Sequence, residues 1–178
     1  MIKAVSNKSN RQDKYPVSEY GVAKAKEVCA YHQSYPEYSM TPLVKLDALA
    51  NALGVSKIMV KDESKRFGLN AFKVLGGSYC IGKYIAERLQ LPKEKFNFAT
   101  LVSDEVKAEL GELTFVTATD GNHGRGVAWT ANRLGHKSVV FMPEGTVPER
   151  LENIRKPGSD ASIQDMNYDD CVRKAKAC

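Results

Sequence analysis

The chain is 178 residues long, 43% hydrophobic and 26% charged, with a formal net charge of +5 at pH 7. These are the values of an ordinary globular protein with room for one real core. Its lysines and arginines are dispersed among acids and no apolar run is long enough to cross a bilayer, which argues against nucleic acid and membrane as partners.

Taken in chain order, residues 1–40 read as an N-terminal segment. Its first 17 residues are polar, lack the apolar stretch of a signal peptide and are expected to be loosely ordered. Ser18 is placed to cap a helix through "EYGVAKAKEVCAYH". "YSMTPLVKL" reads as extended, since Pro42 disfavours helix at Thr41. "DALANALG" is a short helix stopped by Gly54, and "SKIMVKDE" a short strand with Ile58 and Val60 on one face. A charged stretch, "KDESKRF", reads as a solvated loop. Beyond Lys73, "YCIGKYIAERLQL" has helical periodicity, and "PKEKFNFATLVSDEVKAELGE" reads as a helical, polar insertion. "LTFVTAT" is the strongest strand signal and runs into the helix "DGNHGRGVAWTANRLG", where Val127, Ala131 and Leu134 share a face. "KSVVFMP" is a buried-type strand, "PERLENIRK" a helix opened by Pro148, "ASIQDM" a weaker strand, and "YDDCVRKAKAC" the start of a last helix. From residue 113, strands therefore alternate with helices, which predicts an α/β fold with a parallel sheet covered on both faces and right-handed crossovers. Ligands of such sheets sit beyond the C-terminal ends of the strands.

The cysteines, Cys29, Cys80, Cys171 and Cys178, contain no C-x-x-C pair, and His32, His123 and His136 form no metal-ligand cluster. Reduced thiols, a cytoplasmic setting and no metal are expected.

Two stretches stand out for chemistry. "TDGNHGRG", residues 119–126, joins the end of a strand to the start of a helix. Helix N-termini offer free amide groups and a positive dipole end, and glycines allow close approach, so a carboxylate or phosphate cradle is one reading. The other is a glycine-rich turn with Thr119 or Asp120 as N-cap. The order G-x-x-G-x-G is neither the dinucleotide fingerprint nor a P-loop. In "NAFKVLGG", Lys73 stands between Phe72 and Val74 ahead of Gly76-Gly77. It is either a snorkelling surface lysine or a desolvated amine kept to form a Schiff base. An amine beside an anion cradle suits a cofactor with an aldehyde and acidic groups, and pyridoxal 5'-phosphate fits.

These two motifs together resemble the fold-type II pyridoxal-phosphate enzymes, which include the serine and threonine dehydratases and the tryptophan synthase β subunit. "VKDESKRFGLNAFK", "TATDGNHGRGVAW" and "DMNYDD" are most similar to the diaminopropionate ammonia-lyase branch, over roughly residues 40–175. The resemblance implies the three-layer parallel-sheet architecture of that family. It also implies carbon–nitrogen lyase activity converting 2,3-diaminopropionate to pyruvate and ammonia, with a small amino acid as substrate. For the full-length family it implies a homodimer. Lys73 corresponds to the lysine that holds the cofactor, and Asn122 to the asparagine that bonds its ring oxygen. Thr119, Gly121 and His123 correspond to the loop that receives the substrate carboxylate. Asp120 stands where the general family has Ser. It would act as a base at Cα from one face, with Lys73 on the other, or bind the substrate's second amine. Arg125 and Asp165 are further polar residues that would line the site.

Family members are longer, and no second glycine-rich strand–loop–helix follows residue 135. The expected division is therefore 1–40 as N-terminal segment, 41–90 as part of the large cofactor-binding domain with Lys73, and 91–178 as the small α/β domain. The chain would then be truncated before the phosphate-binding part. A serine/threonine dehydratase-like enzyme and a non-catalytic binding module are the alternatives.

Overall fold

The computed structural model of the protein describes residues 20–178. Ser18, the expected helix cap, lies outside the described residues. The first helix, α1 (Val22–Gln33), is followed by a two-stranded antiparallel ribbon, β1 (Leu43–Lys45) and β2 (Met59–Lys61), with α2 (Asp47–Ala52) between its strands. Then come α3 (Lys73–Arg88), α4 (Phe98–Leu101) and α5 (Asp104–Leu110). The remainder alternates strictly: β3 (Thr114–Ala118), α6 (Asn122–Arg133), β4 (Lys137–Met142), α7 (Pro148–Arg155), β5 (Asp160–Ile163), α8 (Tyr168–Ala177).

The last three strands form a parallel sheet in the order β3-β4-β5, with Thr114 opposite Lys137 and Val139 opposite Asp160. The period-2 pattern of "SVVFM" explains how β4 is buried on both faces. Val140 and Met142 pack with Ala128, Ile154 and Ala161 under α6 and α7. Phe141 turns the other way, with Ala118 and Cys171, under α8. This is the expected three-layer α/β arrangement. Among the described residues no helix is long and apolar enough to cross a membrane.

A second core lies between α1, α3, α4–α5 and α6. Tyr31, Tyr35, Phe67, Phe98, Leu101, Ile81, Ile85 and Val127 pack there. The stretch read as a polar insertion is thus anchored: Phe98, Leu101 and Val106 are its buried apolar residues. The helix expected from Tyr79 starts at Lys73, with Gly76 and Gly77 inside its first turns. Burial of Val74, Gly77, Ser78, Ile81 and Ile85 along one face outweighs the helix cost of the glycines, about 1 kcal/mol each.

The charged stretch 61–67 is not a solvated loop. Arg66 is only 7% exposed. Its Nε donates to Glu63 Oε2 at 2.7 Å and its Nη2 to Glu63 Oε1 at 3.0 Å and to Thr41 Oγ1, while Nη1 reaches the Ser39 carbonyl. This network joins the segment before β1 to the loop before α3. Phe67 (φ 48), Gly68 (φ 70) and Asn70 (φ 53) follow with left-handed backbone, a costly run for the two non-glycine residues unless the surroundings hold it.

Candidate active site

Helices α3 and α6 cross where both begin. A Cβ added to Gly126 would stand 2.8 Å from Val74 Cα and 3.1 Å from Val74 N. Only glycine allows that approach, and it brings Lys73, the first residue of α3, beside the first turn of α6. Gly124 serves the same end against the sheet: a Cβ there would overlap the Thr119 methyl and stand 2.9 Å from Val140 Cγ1. Two of the three glycines in "GNHGRG" are therefore packing positions rather than openings for an anion. Gly121 alone of the three lines the cavity described next.

At the C-terminal end of β3, a cavity of about 210 Å³ is lined by Lys73 from α3, Asp120, Gly121, Asn122 and Arg125 from the β3–α6 junction, and Arg150, Asn153 and Ile154 from α7. Lys73 is an exposed residue here, not a desolvated one. It lines the cavity from the first turn of α3, next in sequence to the exposed Phe72.

Thr119 stands beneath the loop, 1% exposed. Its Oγ1 accepts from the amides of Gly121 at 3.0 Å and Gly124 at 3.1 Å, so it holds the loop and caps α6 while the formal cap residue, Gly121, has no side chain to offer. The Arg125 amide is taken by the Gly121 carbonyl. Among the described residues, the amides of Asn122 and His123 are left without a protein acceptor. His123 faces the adjoining groove with Gly76, Gly77, Thr117 and Val127. Desolvation against that surface, and secondarily the Lys73 ammonium, push its pKa below the ordinary histidine value, so it stands neutral beside the amine.

The structure thus gathers Lys73, Asp120, Gly121 and Asn122 around one cavity, sets Thr119 below it and His123 at its neighbour. Arg125 lines the cavity and Asp165 does not. Sequence reasoning missed Arg150 and Asn153. The available signal was topological: α7 follows β4, whose C-terminal end adjoins that of β3, so its first turns had to stand beside the same crevice.

A family model for pyridoxal-phosphate dependent enzymes matches residues 35–178. The chain belongs to that family. Among its curated relatives, the diaminopropionate ammonia-lyase of Salmonella typhimurium is 54% identical over 149 residues, which is 84% of this chain and 37% of the relative. Two solved structures of Escherichia coli diaminopropionate ammonia lyase are also similar. The complex with D-serine has a TM-score of 0.83 and 46% identity over 92% of this chain and 40% of that chain. The complex with an aminoacrylate–pyridoxal phosphate azomethine intermediate has a TM-score of 0.80 and 47% identity over 92% and 39%. This pyridoxal-phosphate family member spans about two fifths of the length of the relatives it matches.

The residues present suit the family's cofactor. The cavity offers a primary amine for an aldehyde, an amide side chain for a ring oxygen, free amides at a 12-residue helix N-terminus, and two guanidinium groups against a single carboxylate. That donor set favours an anionic, aldehyde-bearing ligand.

Proposed function

We propose that the chain contributes the lysine-bearing half of a pyridoxal-phosphate-dependent carbon–nitrogen lyase site that converts 2,3-diaminopropionate and water to pyruvate and two molecules of ammonia. The observation that carries the reading is the meeting of Lys73, Asp120 and Asn122 on one cavity at the crossing of two helix N-termini, in a chain 54% identical to a diaminopropionate ammonia-lyase over 149 residues. In this reading residues 41–90 belong to the larger, cofactor-binding unit and 91–178 to the smaller one, with 1–40 leading into them. Four unpaired thiols, three of them exposed, support a reducing compartment such as the cytoplasm.

Lys73 would hold the cofactor through its amine and Asn122 would donate to the ring oxygen. The free amides of Asn122 and His123 would hold the substrate carboxylate at the positive end of α6. Bound pyridoxal phosphate supplies an electron sink for the charge left at Cα when its proton is removed. Asp120 would take that proton from one face or hold the β-ammonium, and the amine of Lys73, once displaced, would serve the other face. His123, kept neutral, adds no second cation beside Lys73. The elimination product then hydrolyses to pyruvate and the second ammonia. A dehydratase site with serine at position 120 has no carboxylate for either role, which favours the lyase.

The test is a pyridoxal-phosphate titration of the purified chain, followed by borohydride reduction, peptide mapping and a pyruvate assay with diaminopropionate. The expected result is a single label on Lys73, absent in Lys73→Ala. Asp120→Asn should keep the label and lose about 10²–10⁴-fold in turnover, the range of general acid–base help. Label scattered over many lysines, or unchanged in Lys73→Ala, would sink the assignment.

A further inference from the structure

We propose that Arg125 and Arg150 are paired positioning residues, each fixing by its main-chain hydrogen bond one of the two loops that deliver Lys73 and Asp120 to the cavity. Arg125 Nη1 donates to the Leu69 carbonyl at 2.9 Å, reaching from α6 to a loop 56 residues earlier in the chain. Leu69 precedes Asn70, the left-handed residue (φ 53) three positions before Lys73. Backbone in that region persists only where its surroundings over-determine it, and the Leu69 carbonyl is where α6 takes hold of it. Arg150 Nη1 donates to the Asp120 carbonyl at 3.0 Å, reaching from α7 to the β3–α6 junction. Its Cδ stands 3.9 Å from where a Gly121 Cβ would be, so the stem lies over that glycine while the fork grips the preceding peptide.

Both arginines line the cavity. Among the described residues neither takes part in an ion pair. That choice of acceptor matters. An arginine paired with the Asp120 side chain would neutralise it; one bonded to the Asp120 carbonyl fixes the residue and leaves the carboxylate free. A guanidinium has five donors in a planar fork, so one N–H given to a carbonyl leaves others for the cavity. The separation of Lys73 from Asp120 is thus set by two clamps, one from α6 and one from α7.

The catalytic consequence rests on the lyase reading, and the test separates the two. The variants are Arg125→Met and Arg150→Met, which remove the donors and keep much of the stem; Arg125→Lys and Arg150→Lys, which restore one donor; and Lys176→Met as an exposed-cation control on α8. Backbone amide spectra of the isotope-labelled chain are recorded first. The expected result is a shift of resonances from Leu69 to Lys73 in Arg125→Met and from Gly121 to His123 in Arg150→Met, smaller in the lysine variants and absent in the control. In the pyruvate assay, each methionine variant should lose kcat by on the order of 10²-fold, the cost of a misplacement of about 1 Å, with most of it regained by lysine and KM moved far less. Methionine variants with unmoved amides overturn the clamps, whether or not the chain turns over. A wild-type chain that neither labels at Lys73 nor makes pyruvate sinks the lyase reading, and the clamps are then decided by the amide shifts alone. Shifted amides with unchanged kcat in an active chain overturn the positioning role.

Discussion

Replacing Gly126 with alanine tests the contact on which the site depends. The new methyl carbon would lie 2.8 Å from Val74 Cα, 3.1 Å from Val74 N and 3.4 Å from Val74 Cβ. Carbon atoms pack at about 3.5–4.0 Å, so α3 and α6 must part by roughly 0.7–1.2 Å. No flexible side chain can absorb this, because the nearest atoms are backbone. The parting opens the core around Val74 and Val127, at a cost of about 1–3 kcal/mol for an overpacked site, a sizeable share of a typical domain's stability of about 5–15 kcal/mol. Lys73 adjoins Val74, so the amine moves with it. Urea unfolding followed by far-UV circular dichroism gives the stability change, and borohydride labelling gives the effect at Lys73. Gly76→Ala is the control. It lies in the same helix with nothing within 4 Å of a Cβ, and should raise stability by about 0.5–1 kcal/mol through helix propensity alone. A Gly126→Ala protein as stable as wild type would refute the claim that glycine sets the helix approach.

Two further outcomes are expected. The pKa values of His32 and His136 are held below the usual range, chiefly by burial; at His136 the ring Nδ1 accepts from the Leu113 amide and Nε2 is buried without a partner. The unfolded chain therefore binds more protons than the folded one as pH falls through about 6.5, so the urea midpoint should drop between pH 7.5 and pH 5.5, and a flat profile would contradict this. Arg66→Met should destabilise by about 3 kcal/mol or more by stranding the Glu63 carboxylate in a largely buried site. The Arg66 bond holds the Glu63 pKa below the usual carboxylate range, so the pair's contribution is present above about pH 4.5 and fades below it; Arg66→Met should lose that acid-limb dependence, as measured by thermal melts against pH.

The alternating half of the chain was readable because its signals are local. "LTFVTAT" and "KSVVFMP" are short apolar runs bounded by glycine and proline, and each is followed by a periodic helix, so parallel pairing follows from the alternation, while the strand order came from the structure. The Lys73 region was harder. The helix was expected only from Tyr79, beyond Gly76 and Gly77, yet the cost of those glycines is outweighed by the packing of α3 against α6, which no local window contains. Arg66 reads as a surface charge until Thr41 and Ser39 are brought to it from more than twenty residues away. The glycines of "GNHGRG" read as an anion cradle, whereas two of them are required by Val74 and by Thr119 with Val140. Arg150 carried no motif at all, and its place depends on the sheet bringing α7 alongside the β3–α6 junction.

Trp129 is the chain's single tryptophan, and it packs 5.0 Å from Phe67 and 5.7 Å from Tyr35, ring centre to ring centre. One indole, borne on α6, therefore touches the turn that follows α1 and leans on the left-handed loop that leads to Lys73. Its emission belongs to one junction rather than to an average over the molecule, and Tyr35 is close enough to pass it excitation energy. The protein carries an intrinsic optical gauge of whether the lysine loop is seated, readable without any added dye.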